Sequence, residues 1–492
     1  MNTDRRQFLK TAASLFPAVL GAAREKRPNV LFIIADEWRA QATPYNGDPN
    51  VRTPVLERLA RESVSFDNAT SGCPVCCPAR ASIMTGQYPL TNGVFINDVE
   101  LKPNSLTLAE SFAKAGYRTG YIGKWHLYGS PDGKYGRRLA YIPPEKRFGF
   151  DYWKACECSH NYNHSLYYEG NDPTPHYWPG YDAFAQTDDA CGFIDKHANA
   201  TDPFLLFLSL GPPHFPYETA PAKYQAMYAN SVIQFRPNVP REKRAEAARI
   251  LRGYYAHMAA LDDCFDRLLT TLDRNRIAED TILIFTSDHG DMMLSQGLTT
   301  KLYPWEESVR IPFLLRYPAR FGRKGRRVGA PLNMPDMMPT LLSLAGIPIP
   351  DGVQGRDLSK SASGAAREDP NEAALISLPV PITEARRYGF AEYRGLRTPR
   401  YTYVRSIKGP WLLYDNREDP YQMHNLCNRP EAKPIQAALD RQLNSRLRAV
   451  KDDFLPARDY VARAGVGHYR EVNVAVGHTK SPWGDWESTA SA

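Results

Sequence analysis

An α/β protein, with a large, mainly parallel sheet flanked by helices and a smaller C-terminal α+β domain, is what this sequence predicts, and three observations predict it. The runs 29–35, 204–210 and 281–286 are unbroken stretches of leucine, isoleucine, valine and phenylalanine with almost no polar interruption. They lack the alternation of a half-exposed strand and read as strands buried on both faces. Helical stretches at 54–63, 105–115, 183–197 and 242–273 alternate with them, the order that builds a parallel sheet covered by helices. From about 375 the texture changes to short strand-like pieces, 401–404 and 411–414. A helix over 434–450 follows, with Ile435, Leu439, Leu443 and Leu447 at four-residue spacing.

The chain's 492 residues exceed what one core supports, since single cores stop growing near roughly 250 to 300 residues. Two folded units are expected, 24–374 and 375–492, behind a removable leader, 1–23. In the leader, Arg5-Arg6-Gln7-Phe8-Leu9-Lys10 precedes an apolar run, 11–20, and the small residues Gly21-Ala22-Ala23. That is the order of a signal peptide, and the run is short of the roughly 20 residues that span a bilayer. The arginine pair resembles a twin-arginine export signal, with Asp4 where Ser or Thr is usual. A disordered basic tail is the plainer alternative. The expected destination is the periplasm or the exterior, with no stable membrane anchor.

The formal charge is +7, from 61 Lys plus Arg against 54 Asp plus Glu; loss of 1–23 leaves +5. The positive residues are scattered and not gathered in one arm, which suits an anionic small molecule and does not call for nucleic acid. Eight cysteines, at 73, 76, 77, 156, 158, 191, 264 and 427, are too sparse for a disulfide-stapled scaffold, and their spacing fixes no pairing.

In open α/β sheets, ligands gather outside the carboxyl ends of the strands. Three predicted strands run out into reactive residues there: Asp36-Glu37, His214 and Asp288-His289. A fourth feature is Cys76-Cys77-Pro78-Ala79-Arg80, which puts a sulfur side chain near a helix N-terminus with a guanidinium four residues on, a place that attracts anions. Taken alone, Cys73-x-x-Cys76-Cys77 also fits half a zinc site or a redox pair, although Cys156-x-Cys158 is a poor second half.

Together with other motifs, this segment resembles the formylglycine-dependent sulfatases of the alkaline phosphatase superfamily. Cys76-x-Pro78-x-Arg80 matches their modification motif, and Thr85-Gly86-x-Tyr88-Pro89 continues it. Gly116-Tyr117-x-Thr119-x-x-x-Gly123-Lys124-Trp125-His126 matches their second signature. Pro213-His214-x-Pro216, Ser287-Asp288-His289-Gly290-Asp291, Lys301, Leu413-Tyr414-Asp415, Asp419-Pro420 and Asn425-Leu426 follow in the family's order. One such motif is weak evidence; the ordered set from 29 to about 426 is strong.

The resemblance implies an alkaline-phosphatase-like fold and hydrolysis of a sulfate ester on a small molecule or oligosaccharide. Cys76 would be converted to formylglycine (3-oxoalanine) by a formylglycine-generating enzyme. Asp36, Glu37, Asp288 and His289, with residue 76, would hold a divalent cation; calcium is the family's metal, and a carboxylate-rich set also admits magnesium. Arg80, Lys124 and Lys301 would surround the sulfate oxygens, where charge builds as the ester breaks. His214 or Lys301 would protonate the leaving alcohol, and His126 would take the proton that lets sulfate depart. Two positions depart from the usual pattern. The family generally has Asp at 37, so Glu37 either reaches the metal differently or stays outside its sphere. The last ligand is commonly Asn, with His in some branches.

Each residue has a plain structural alternative: an Asp-His pair can be a turn, a Lys-Trp-His triplet surface, His214 between prolines a cap. Their occurrence together and in order favours chemistry. His257 and Asp262, five apart on the long helix, share no face and read as structural. The irregular stretch 160–181, rich in His, Tyr and Trp, reads either as a rim that stacks on a sugar or as packing. Two rivals stay open: a phosphonate or phosphate ester hydrolase of the same superfamily, and a binding relative that never acquires the oxidised cysteine. Loops 130–180 and 218–240 and the tail with Trp483 and Trp486 would set specificity.

Overall fold

In the computed structural model, which describes residues 27–129, 138–382, 385 and 388–467, two sheets organise the chain. The leader 1–23 and the tail tryptophans lie outside those residues. The strands of the large sheet are β1 (Asn29–Asp36), β2 (Val64–Phe66), β4 (Arg118–Lys124), β5 (Tyr152–Cys156), β6 (Leu166–Glu169), β7 (His176–Tyr177), β8 (Phe204–Pro213), β9 (Thr281–Ser287), β10 (Phe313–Arg316) and β11 (Arg326–Val328). A two-stranded ladder pairs β3 (Ala69–Thr70) with β12 (Leu332–Asn333), and β13 (Ala374–Leu378), β14 (Tyr393–Arg397), β15 (Tyr401–Ser406) and β16 (Gly409–Asp415) form the second sheet.

The large sheet runs β11-β2-β10-β9-β1-β8-β4-β5-β6-β7. Its central five strands, β9-β1-β8-β4-β5, are parallel, while β10, β6 and β7 join antiparallel to their inner neighbours. This is the mixed, mainly parallel sheet that the unbroken apolar runs predict. Alternate residues of each central strand feed opposite cores. Leu31, Ile33 and Ala35 of β1, with Leu206 and Leu208 of β8, pack against the helices Asp182–His197 and Arg244–Arg274. Val30, Phe32 and Ile34, with Leu205 and Phe207, pack against Cys76–Thr85, Leu108–Lys114 and Met334–Leu344. With both faces buried, β1 is apolar from Val30 to Ala35 and polar only at its two ends, Asn29 and Asp36.

Register then places the site. Ala35 pairs with Ser287 of β9 and Leu210 of β8, and Asp36 pairs with Pro213 across a shift in β8. Gly123 of β4 pairs with Ser209. The residues after these pairs, Asp36-Glu37, His214, Asp288-His289 and Lys124, therefore leave the sheet side by side at its carboxyl edge. Two glycines of the motifs serve close backbone approach. At Gly123 (φ +103°) a Cβ would come 2.0 Å from Ser209 O, and at Gly290 it would come 2.0 Å from Glu307 O.

The antiparallel sheet β13-β14-β15-β16 buttresses the same edge. Ile376, Leu378, Tyr393, Val404, Leu412 and Tyr414 on one face pack on Cys73, Val75, Leu302, Tyr303 and Trp305, beside the Cys76 and Lys301 segments. The other face, with Leu375, Leu396, Tyr403 and Leu413, receives Leu439, Leu443 and Leu447 of the helix Lys433–Ala449. The buried guanidinium of Arg397 donates to both oxygens of Glu306 (2.7 and 2.9 Å), tying the second sheet to the loop after Lys301. No helix among the described residues is long and apolar enough to cross a membrane.

The glycine argument gives a pair of opposite signs. Gly290→Ala should lower unfolding free energy by about 1–3 kcal/mol, because backbone must move to admit the methyl. Gly192→Ala, on the exposed face of Asp182–His197 with nothing within 4 Å of the new carbon, should raise it by about 0.5–1 kcal/mol. Denaturant midpoints check both; equal effects would contradict the packing described.

Candidate active site

The site assembles around Asp36, which has no exposed surface. Its Oδ2 receives Lys124 Nζ in a short ion pair and Arg80 Nη2 at 3.4 Å. Arg80 is fixed on every side: Nε donates to Asp288 Oδ2 (3.0 Å), and Nη1 to Ser209 Oγ (2.7 Å) and Lys124 O (3.2 Å). Burial alone would raise the Asp36 pKa, but Lys124, His214, Arg80 and His289 outweigh it and hold the carboxyl well below the usual range. In return Asp36 keeps buried Lys124 charged, and Asp288 and Asp36 do the same for Arg80.

Cys76 opens the helix Cys76–Thr85, which is buried throughout and closed by Gly86 at φ +64°. Its Sγ lies 3.2 Å from His289 Nε2 and 3.9 Å from Asp36 Oδ1. Burial, then the nearby Asp36 charge, pushes the thiol pKa up despite the helix N-terminus, so an unmodified Cys76 is a poor nucleophile. Ligand atoms of Asp36, Cys76, Asp288 and His289 lie within 4.8 Å of one another, as do those of Asp36, Glu37 and His214.

Two features fit these residues to a cation. His289 Nδ1–H donates to Gly290 O (2.9 Å), which turns the lone pair of Nε2 into the cluster, the arrangement of a metal-ligating imidazole. Glu37 sits in a left-handed turn (φ 66°), pinned because its N donates to Asp288 Oδ1 (3.1 Å) and its O accepts from Tyr254 OH (2.7 Å). Its two carboxylate oxygens are buried without a hydrogen bond. Oε1 is 3.4 Å from Lys301 Nζ, close enough for charge attraction but poorly aligned for hydrogen bonding, and Oε2 is 3.0 Å from His214 Nε2. Burial raises the Glu37 pKa well above its ordinary value, with Lys301 opposing. An oxygen-rich set with one imidazole suits calcium or magnesium and tolerates other divalent ions.

The second half of the site faces outward. His214 Nδ1–H donates to Phe215 O (2.9 Å), and Nε2 meets Lys301 Nζ at 2.9 Å. Burial, then Lys301, keeps this imidazole neutral. Its ring stacks on His160 (centroids 4.1 Å) and packs at a tilt against Phe215 (4.1 Å), and Phe215 is 37% exposed. His126, φ 58°, is buried, with its pKa lowered to about 3 by burial and then by Lys124. The sequence-predicted residues thus come together: Asp36, Cys76, Arg80, Lys124, Asp288 and His289 in one network, and Glu37, His214 and Lys301 in another that shares Asp36. His126 stands two residues beyond Lys124, bonded to Asp98 instead.

Sequence reasoning missed Ser209, Asp98, Arg138 and Glu157, and saw His160 only as part of the 160–181 stretch. Ser209, the polar interruption in the β8 run, was the visible signal for one of them. His257 and Asp262 are structural: His257 bridges Tyr181 OH (2.6 Å) and Pro216 O (3.1 Å), and Asp262 accepts from Val55 N and Leu56 N at the start of Pro54–Arg61. All eight cysteines are unpaired. In the 160–181 stretch, Tyr162, Trp178 and Tyr181 are core, whereas His164 and Tyr177 stack at 4.2 Å with Tyr177 49% exposed.

An α/β fold of this topology, with a buried cluster of carboxylates and cations at its strand ends, is of the alkaline-phosphatase-like class. The Sulfatase family matches residues 28–347, and the family described as N-sulphoglucosamine sulphohydrolase, C-terminal, matches 295–449. An "Ulvan-active sulfatase" of Formosa agariphila is 43% identical over 94% of this chain and 87% of its own. An "Endo-4-O-sulfatase" of Bacteroides thetaiotaomicron is 30% identical, over 88% and 94%. A solved structure described with the metabolism of multiple glycosaminoglycans by Bacteroides thetaiotaomicron superposes with a TM-score of 0.79 at 28% identity, covering 90% of this chain and 99% of that one. The chain belongs to the sulfatase family of the alkaline phosphatase superfamily, the hydrolases of sulfuric esters.

Glu157 offers a test of the electrostatics. Its carboxylate accepts from Gly129 N (2.7 Å) and Tyr128 N (3.1 Å), and its O accepts from His126 N (2.7 Å). Burial lifts its pKa to about 8, against those backbone donors. The folded state therefore binds the proton more tightly than the unfolded state, so the group's stabilisation is full below its ordinary pKa near 4.5 and lost as pH rises to 8. Between pH 5 and 8, wild type should lose on the order of a few kcal/mol relative to Glu157→Gln. Parallel stability profiles would contradict the shift.

Proposed function

We propose that this chain hydrolyses a sulfate ester on a carbohydrate, using formylglycine at residue 76 and a divalent cation, calcium first, held by Asp36, Glu37, Asp288 and His289. The observation that carries it is the convergence of Asp36, Cys76, Asp288 and His289 within 4.8 Å, beside Arg80 and Lys124. When present, the formylglycine hydrate supplies a hydroxyl nucleophile and the cation supplies Lewis acidity toward it and toward the sulfate oxygens.

The remaining chemistry belongs to fixed side chains. Three carboxylates (Asp36, Glu37, Asp288) face three cations (Arg80, Lys124, Lys301), so a bound divalent ion leaves the pocket net positive toward a sulfate monoester. Arg80, Lys124 and Lys301 bind the sulfate oxygens and the charge that grows on them as the S–O bond breaks. His214 Nε2 accepts from Lys301 Nζ (2.9 Å), so the proton for the departing alcohol oxygen starts on the Lys301 ammonium and is passed on through His214 Nε2. His126 accepts the proton whose removal releases inorganic sulfate. A sugar is favoured as the alcohol because rings of His160 and Phe215 flank His214, and because relatives are named for ulvan and for endo-4-O-sulfatase activity. The leader 1–23 supports export to the periplasm or beyond, with Cys76 oxidised by a formylglycine-generating enzyme beforehand.

Inorganic sulfate should be released from a panel of sulfated mono- and oligosaccharides, including ulvan fragments, and not from a phosphonate ester tested alongside; Cys76→Ala should abolish release. Turnover of the phosphonate alone would move the chain to that branch of the superfamily. Chelation should remove activity, and calcium or magnesium should restore it. His214→Ala should slow a sugar sulfate by about 10²–10⁴ but an aryl sulfate with an acidic leaving phenol at least tenfold less, since that oxygen needs little protonation. Equal losses on both substrates would remove His214 from the role of acid.

A further inference from the structure

Beside the candidate cation cluster lies a second buried network, of which the family motifs include only His126. Asp98, 3% exposed, turns back in a left-handed conformation (φ 62°). Its Oδ1 lies 3.3 Å from His126 Nε2 and accepts from Arg138 Nε at 3.0 Å; its Oδ2 accepts from Arg138 Nη2 at 2.7 Å. His126 is also left-handed, with its N donating to Glu157 O (2.7 Å). The loop that carries Asp98 is tied to the nucleophile segment, because Asn97 Oδ1 accepts from Cys77 N (3.0 Å). Arg138 O in turn accepts from Cys158 N (3.1 Å).

We infer that Asp98 is a positioning residue that locks His126 in the Nε2–H tautomer, leaving Nδ1 as the atom that accepts a proton during sulfate release. The inference rests on the role proposed above for His126. A carboxylate has only lone pairs to offer, so the contact at 3.3 Å requires the proton on Nε2. Nδ1 is buried and has no hydrogen-bond partner among the described residues, an arrangement that costs free energy unless the atom is used. Arg138 supplies what a buried carboxylate needs. Burial would raise the Asp98 pKa, but the bidentate guanidinium and the His126 hydrogen bond hold it far below the ordinary value, so it stays an acceptor. The same guanidinium fixes the carboxylate plane and hence the ring. Once Nδ1 takes the proton, the imidazolium gains a counter-charge at Nε2 without a second proton transfer, and returning the proton to water resets the dyad.

The test is the tautomer itself, read from ¹⁵N–¹H long-range correlations of the histidine-labelled full chain, with the His126 signals assigned by their loss in His126→Gln. Wild type should show the Nε2–H pattern for His126. Asp98→Asn, whose amide can donate as well as accept, should show a mixed or Nδ1–H pattern. The variant should also lose about 10²–10⁴ in kcat, with Asp98→Glu recovering part of both. An Nδ1–H pattern in wild type, or an unchanged Nε2–H pattern in Asp98→Asn, overturns the inference. If Asp98→Asn does not fold, Arg138→Met, which removes the clamp at a partly exposed position, is read on the same scale. The tautomer does not depend on turnover, so a locked His126 in a chain that releases no sulfate supports the dyad and counts against the reaction proposed above.

Discussion

The interaction on which the rest depends is the burial of Asp36 between Lys124 and Arg80. A carboxylate with no exposed surface costs several kcal/mol to desolvate unless opposite charge and hydrogen bonds meet it. Here the compensation comes from separate elements: Lys124 from the end of β4, Arg80 from the helix that starts at Cys76, and His289 from beyond β9. Removing any one partner leaves the others as uncompensated buried charge. The network therefore holds the carboxyl ends of β1, β4 and β9 and the residue-76 helix in one arrangement, and that arrangement is the site.

The surrounding architecture serves this constraint. Parallel pairing aligns strand ends, apolar alternation covers both faces, and glycines at 123 and 290 let backbones approach where a side chain would separate them. The second sheet packs on the segments that carry Cys76 and Lys301, so its function is felt at the site without contributing a ligand. The groove lined by Arg405, Asn444, Leu447, Arg448 and Phe454 shares no residue with the catalytic cluster; charge and ligand chemistry mark the site.

Much of this was legible in the residues, for identifiable reasons. β1, β8 and β9 announce themselves because a strand buried on both faces has few polar positions to confuse the pattern. β4 does not, because Gly120 and Gly123 thin its apolar run; at Gly120 a Cβ would come within 3.1 Å of the Leu206 and Phe193 side chains. The helix Met334–Leu344 gives no clear signal because it carries Pro335 in its first turn and Pro339 inside. Residues in ordered motifs, from Asp36 to Lys301, were recoverable because motif and order agree. Asp98 and Arg138 were not, since an acid in one loop and a base forty residues on meet only through left-handed turns that no spacing encodes. Glu37 shows the middle case. Its departure from the family's Asp is visible in sequence, but its approach to His214 and Lys301 appears only in the fold.

The central claim is that the strand-end carboxylates form a cation site facing an oxidised residue 76. Crystals of protein matured in its native host, with diffraction collected to locate the metal by its anomalous signal, test it most directly. The account predicts one divalent ion bound by Asp36, Asp288 and His289, with Glu37 within reach and an aldehyde or its hydrate in place of the Cys76 thiol. An intact thiol at 76 and no ion among these carboxylates would contradict it.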